Sequence, residues 1–381
     1  MARLFGVSRQ TAYVWIRRYE KGGHDVAALE EGSRRPHGHP KAVSEAMQDF
    51  LIDARKARPR WGPRKLRAWL VDRHPGRAFP SASCIAAILK RRGLSQPRKR
   101  RRREKLTSVG APFAAADRPN AVWCVDFKGW FRTGDGHKCY PLTIVDAFSR
   151  YLVRCEALAE PNGWKVRQVF DSAFQQYGLP LAIRSDNGPP FASTGPASLT
   201  TLSVWWLRLG IRVERIEPGK PQQNGRQERF HRTLKFDVTP RGSLRLQQRA
   251  YDLYRVQYND ERPHEALGQK TPASVYYRSS RQYPRGLERP EPPAFSHHVV
   301  LGRDGSLLWH HRRVFVSSAL AHELVGLEPC EGSQWAVYFG PILLGRFDQA
   351  RPSNGLVVRR RSLRGCDDHR PLALSLADLP P

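Results

Sequence analysis

Long apolar runs are missing from this 381-residue chain. No stretch approaches the roughly 20 residues that a membrane-spanning helix needs, and the opening MARLFGVSRQ has no apolar signal core. The expected location is the cytosol. Cysteine is sparse. Cys84, Cys124, Cys139, Cys155, Cys330 and Cys366 are scattered without a CxxC pair, which argues against a disulfide framework and a zinc knuckle. Negative charge is scarce as well: 64 Lys and Arg stand against 35 Asp and Glu, a formal charge of +29. Such an excess favours a polyanion, and nucleic acid is the usual one, because each neutralised phosphate releases counterions. Residues 1–118 hold 28 basic and 10 acidic residues, a surplus of +18, so the front of the chain is the expected grip.

What is present divides by composition. Residues 1–31 read as part of a helix-turn-helix, with the turn Gly6-Val7-Ser8, a helix capped by Ser8, Val14 and Trp15 on its buried side, and Arg9, Gln10 and Tyr13 facing DNA. The supporting first helix of such a unit is not seen, because the chain starts too late for it. Residues 41–95 read as three short helices forming a winged-helix-like DNA-binding domain. Residues 96–118 form a basic linker, in which Arg98, Lys99, Arg100, Arg101, Arg102 and Arg103 would clamp phosphates or remain a solvated tether. From 119 to 275 three β-rich runs precede alternating helices and strands, the order of an α/β ribonuclease-H-like core with a mixed five-stranded sheet. Residues 276–298 read as a linker, 299–350 as a small β-barrel-like domain and 351–381 as a tail.

Three acids stand out in the basic chain: Asp126 in VWCVDF, Asp186 in IRSDNGPPF, and Glu228 in PGKPQQNGRQERFHRTLK. Asp126 falls in the centre of the first strand, Asp186 just past the end of the fourth, and Glu228 on a later helix. If strands one and four are neighbours, the aspartates sit side by side near the strand ends, where ligands of α/β sheets bind. Carboxylates set against polyphosphate have a purpose if they hold Mg²⁺, an oxygen-seeking ion. Two such ions can activate the attacking oxygen and stabilise the leaving one. Glu228, His231, Arg232 and Lys235 follow at i, i+3, i+4 and i+7, on one helix face, with Phe230 and Leu234 on another. A merely solvated charged face is the alternative. Asp146 reads as a turn cap rather than a ligand, Glu217 as a loop residue, and His231 as a phosphate contact in preference to a proton shuttle.

Residues 119–275 resemble the catalytic core shared by retroviral integrases and the DDE transposases of bacterial insertion sequences. The likeness rests on WCVDF, VDAFSR, SDNGPPF, the PQQNGxxERxHRTLK block and the Asp186-to-Glu228 spacing of 228 − 186 = 42. It implies that Asp126, Asp186 and Glu228 are the catalytic metal ligands for two Mg²⁺ or Mn²⁺ ions. It further implies that Lys235 contacts a DNA end, that His231 and Arg232 assist it, and that Asn187 and Gly188 shape the loop at Asp186. The partners implied are transposon terminal repeats, target DNA and further copies of the chain, in a homodimer or higher assembly at the bacterial nucleoid. A ribonuclease-H-like nuclease, and a DNA-binding regulator or inactive remnant, are the rival readings.

Overall fold

Four helices precede the strands: α1 (Arg9–Lys21), α2 (Glu45–Ala57), α3 (Pro63–Arg73) and α4 (Ala82–Arg91). The computed structural model describes residues 2–30, 42–95, 113–217, 223, 225–287, 289–293 and 297–357. The chain divides into two compact units, Met1–Trp61 with Pro80–Gln96, and Gly62–Phe79 with Pro97–Pro381.

In the first unit, Ser8, Ser44 and Ser81 cap α1, α2 and α4, each accepting a backbone N–H of the first turn, from Thr11, Met47 and Cys84. This satisfies donors that a helix start leaves orphaned. Arg55 of α2 donates to the carbonyls of Trp61 and Leu94, tying α2 to the chain after α4. Arg9, Gln10 and Tyr13 are exposed, as expected. Val14 and Trp15 are exposed too, at 45% and 41%, which corrects their assignment to a buried side: α1 buries no residue, and the short turn Val26–Leu29 meets it at its end, where Ala28 approaches Gly22. The described residues of 42–95 are helical and contain no strand, so this region has no β wing. Arg98, Lys99, Arg100, Arg101, Arg102 and Arg103 lie outside the described residues.

The second unit is built on β1 (Val122–Phe127), β2 (Phe131–Arg132), β3 (Lys138–Asp146), β4 (Leu152–Leu158), β5 (Ala182–Ser185) and β6 (Arg212–Arg215). β1 and β3, and β3 and β4, pair antiparallel, whereas β1, β5 and β6 run parallel. β2 pairs with β3 one residue out of the β1 register, Phe131 opposite Cys139 after Phe127 opposite Leu142. It is therefore a broken continuation of β1, interrupted at Gly129 with φ +92°, and the sheet keeps five strand positions.

Alternation then assigns the faces. Trp123, Val125, Leu142, Ile144 and Ile183 meet α5 (Gly163–Tyr177) and α6 (Thr201–Arg208) through Phe170, Phe174, Trp205 and Trp206. On the opposite face, Val145, Leu152 and Cys155 pack under α7 (Gly225–Asp237) and α8 (Leu244–Val256) through Phe230, Leu234, Tyr251 and Tyr254. Burying each such large apolar side chain contributes on the order of 2–3 kcal/mol. α8 ends at Val256 and loosens into a π turn at Gln257–Glu261, just before Pro263, which supplies no N–H to continue a helix. Asn259 in that turn is buried and exchanges both amide bonds with the Leu152 backbone, at 2.8 and 3.1 Å.

The segment read as a linker is a strap. Tyr276, Tyr283 and Leu287 pack on the core, and Arg281 donates to the carbonyls of Pro180, Leu209 and Gly210. Beyond it come β7 (His297–Val300), β8 (Ser306–Trp309), β9 (Arg312–Phe315), β10 (Leu324–Pro329), β11 (Gln334–Phe339) and β12 (Ile342–Asp348). Four of these form a sheet in the order β12-β11-β10-β7, and β8 and β9 form a separate hairpin. Among the described residues no barrel closes. The apolar interior of this domain takes in Leu199 and Val204, and Arg208 of α6 pairs with Glu323 at 3.1 Å.

Candidate active site

Asp126 is the penultimate residue of β1 rather than its centre, and Asp186 directly follows β5. The parallel register pairs Val122 with Ala182 and Cys124 with Arg184. Asp126 and Asp186 each lie two residues beyond its last pair, at the same end of neighbouring strands and, by alternation, on one face. That face is the one α7 covers, since Gln227 of α7, fully buried, donates to the Cys124 carbonyl at 3.0 Å.

The loop after β5 is held from both sides. Asn187 donates to the Ile216 carbonyl at 2.6 Å, and the Gly188 N–H donates to Asp186 Oδ1 at 3.3 Å. A Cβ at Gly188 would stand 3.2 Å from Asp186 Oδ2, so glycine leaves the carboxylate room. Burial raises the Asp186 pKa above the usual carboxylate range, opposed only by that Gly188 bond. Its negative charge is thus left without a compensating cation in the described surroundings.

His231 is placed differently from the expectation. Its side chain is only 12% exposed, its Nε2 lies 2.7 Å from Thr143 Oγ1, and its Nδ1 is 3.9 Å from Asp126 Oδ2. The Thr143 hydroxyl donates its one proton to the Asp126 carbonyl, so Nε2 of His231 must carry the hydrogen it shares with Thr143. Burial, then the charge of Lys128, lowers the His231 pKa to about 4. His231 is therefore neutral near pH 7 and turns an unprotonated nitrogen towards Asp126. It is an internal positioning group and not a phosphate contact, because the ring is enclosed between α7 and the sheet.

Glu228 is exposed in the first turn of α7, and Arg232 and Lys235 are exposed further along it. Glu228 and Lys235 lie about 20° apart around the helix at 100° per residue. Among the described residues, no three His, Cys, Asp or Glu side chains gather closely enough to hold a metal ion. The sheet thus brings the two aspartates to one end of neighbouring strands, and Glu228 stands exposed on α7.

Two features escaped the sequence reading. Lys128, two residues after Asp126 and half-buried, has its pKa lowered by burial and then by Lys235, so the two ammonium groups share one neighbourhood beside the acids. The signal was a lysine immediately beyond the catalytic strand. Gln227 was hidden by its neighbour Glu228; only the helix phase shows that it points into the sheet. Asp146 behaves as the turn cap expected of it: its carboxylate accepts from Asn120 N, Ser149 N and Ser149 Oγ at 2.7, 2.8 and 2.6 Å. Glu217 sits in a loop, bonded to Gln223.

Comparison with known proteins agrees with this geometry. Residues 116–221 and 209–272 each match a model described as an integrase core domain, and residues 11–89 match a homeodomain-like domain. The chain is 29% identical to the insertion element IS407 uncharacterized 31.7 kDa protein of Burkholderia multivorans, over 61% of this chain and 82% of that one. It is 28% identical to the insertion element IS476 uncharacterized 39.2 kDa protein of Xanthomonas euvesicatoria, over 65% and 69%. Among solved structures, the HTLV-2 integrase catalytic core domain in complex with magnesium aligns with 42% of this chain and 99% of that one, at 16% identity and a TM-score of 0.31. With integrase core models matching behind a homeodomain-like region, and insertion-element proteins as relatives along most of its length, the chain is similar to insertion-sequence transposases with a retroviral-integrase-like core.

Proposed function

We propose that this protein cuts DNA at the ends of a transposable element and joins the freed 3′-hydroxyl to target DNA, both by phosphoryl transfer at one site formed by Asp126, Asp186 and Glu228. The observation that supports this reading is the parallel pairing of β1 with β5, which ends two residues before Asp126 and Asp186 and leaves both acids at one end of neighbouring strands. That donor set fits Mg²⁺ or Mn²⁺, because carboxylate oxygens are the hard ligands these ions take. Asp126, Asp186 and Glu228 would hold two ions, which when bound supply charge stabilisation at the transferring phosphate and an activated attacking oxygen.

The chain's own groups do the rest. Lys128 and Lys235 attract the phosphates flanking the reacting bond, and Arg232 extends that surface. Neutral His231, through Thr143, fixes β1 against β3 at the level of Asp126. Asn187 and Gly188 keep the Asp186 carboxylate at the mouth of the sheet. Two element ends have to meet in one complex, so the working form is a dimer or larger assembly on terminal-repeat and target DNA.

Asp126→Asn, Asp186→Asn and Glu228→Gln keep side-chain shape but remove the charge that holds the cation. With purified protein, Mg²⁺ and labelled element ends, each is expected to lose both cleavage and joining while retaining DNA binding. Persistent joining in any one of them would remove that residue from the site. A wild-type protein that cuts but never joins would be a nuclease, and one that binds without either reaction a regulator.

A further inference from the structure

α7 has a second charged side. A cavity of about 360 Å³ opens beside its first turns, lined by Lys65 of α3, Arg150, Arg226, Arg229, Arg262 and His264. A neighbouring hollow of about 380 Å³ shares Arg150 and Arg226 with it and adds Lys270. Together they form one cleft with six cationic side chains. Glu228 and Lys235 line neither hollow, and Arg226 lies about 160° around the helix from Glu228. The cleft and the acidic site thus flank α7 on different sides.

The acids of the cleft do not neutralise it. Asp146 already accepts three hydrogen bonds, Glu265 faces Arg64 at 3.4 Å, and Asp237 pairs with Arg262 at 2.7 Å. Arg150 and Arg226 both donate to one acceptor, the Ala147 carbonyl, at 2.6 and 3.2 Å. No hydrogen bond or ion pair to a described residue involves the side chain of Lys65 or Arg229, although Glu265 and Asp237 act on Lys65 from farther off. His264 Nε2 is buried in the wall without a partner. The cleft also reaches the first turn of α7, where backbone N–H groups lack helical acceptors and the helix dipole favours negative charge.

Titration agrees with this crowding. Burial, then Arg262 and Arg229, lowers Lys65 to about 8. Burial, then Lys65 and Arg262, lowers His264 to about 3. Cations gathered with idle donors and no free carboxylate have one simple complement, which is a row of phosphates.

We infer that this cleft binds the phosphodiester backbone of a second DNA segment, held across α7 from the strand that reaches Asp126 and Asp186. The inference rests on the proposed reaction only in taking DNA, rather than another polyphosphate, as the occupant.

The test uses the full chain with Lys65→Ala/Arg229→Ala, alongside Lys65→Met/Arg229→Gln, which keeps side-chain bulk. Binding of a fluorescent duplex is measured against salt. Each lost phosphate contact lowers the slope of log K against log salt by about 0.9, so both variants should lose about 1.8. They should also fail to bridge the fluorescent duplex to a second, bead-bound duplex. An unchanged slope, or bridging as in wild type, overturns the inference. So does stabilisation by tripolyphosphate seen in wild type and lost in the variants without any change in the DNA slope, since the occupant is then a soluble anion. Failure here leaves the catalytic reading intact, because that reading falls only if the carboxylate variants still join DNA.

Discussion

The ion pair of Arg184 and Glu214 offers the sharpest test of how the fold supports the acidic site. Arg184 lies two residues before Asp186 on β5, and Glu214 lies opposite it on β6. Glu214 Oε2 accepts from Arg184 Nε at 3.0 Å and Nη2 at 2.9 Å, while Oε1 accepts from Ala114 N at 2.7 Å. The side chains are only 11% and 5% exposed, and the guanidinium lies 4.2 Å from the centre of the Phe113 ring. One carboxylate thus ties the entry of the chain into the core to the two strands that present Asp186. Glu214→Leu leaves the Arg184 charge buried without its carboxylate, with only the Ala114 carbonyl at 3.3 Å to accept from it, and strands the Ala114 N–H; breaking a buried pair costs about 3–5 kcal/mol. At about 2–4 °C per kcal/mol for a domain of this size, the melting temperature should fall by roughly 10 °C. Adding Arg184→Met removes the stranded charge and keeps the contact with Phe113. The double variant should regain at least about 2 kcal/mol over Glu214→Leu, leaving chiefly the cost of the orphaned N–H, about 1–3 kcal/mol. Urea titrations of wild type, both singles and the double give the coupling directly. Additive losses, or a Glu214→Leu loss under about 1 kcal/mol, would show that the pair is not what holds these strands.

Two further outcomes are expected. Lys128→Ala should lower end cleavage and joining while barely moving the melting temperature, as should Lys235→Ala, because both lysines serve the DNA rather than the core; a large drop in melting temperature with normal turnover would reverse that assignment. The pKa of Lys65 is about 8 in the fold against 10.5 in an unfolded chain, so between those values the unfolded state binds more protons and stability rises with pH. Lys65→Met should flatten that rise by about 1–3 kcal/mol, read from denaturation curves at pH 7.5 and 10, and an identical rise in both proteins would refute the crowding described for the cleft.

The sequence by itself picked out the candidate acids and determined most of the element order. Carboxylates are conspicuous in a chain of formal charge +29, and alternation and helical spacing are local signals, so Asp126, Asp186, Glu228 and the strand-then-helix order of the core were legible. The turn role of Asp146 was legible for the same reason, in the residues that follow it. Tertiary structure alone decided which groups meet. The direction of His231 depends on how α7 is rotated over β3, the exposure of Val14 and Trp15 on what packs against α1, and the separation of the C-terminal strands into a sheet and a hairpin on long-range pairing. The strap at 276–287 looked like a linker because its anchoring residues bond to carbonyls 70 to 100 positions earlier, as Arg281 does with Pro180 and Leu209. The cationic cleft was invisible for the same reason. Lys65, Arg150, Arg229 and Arg262 are scattered along the sequence, and charges so dispersed carry no local pattern until the fold brings them together.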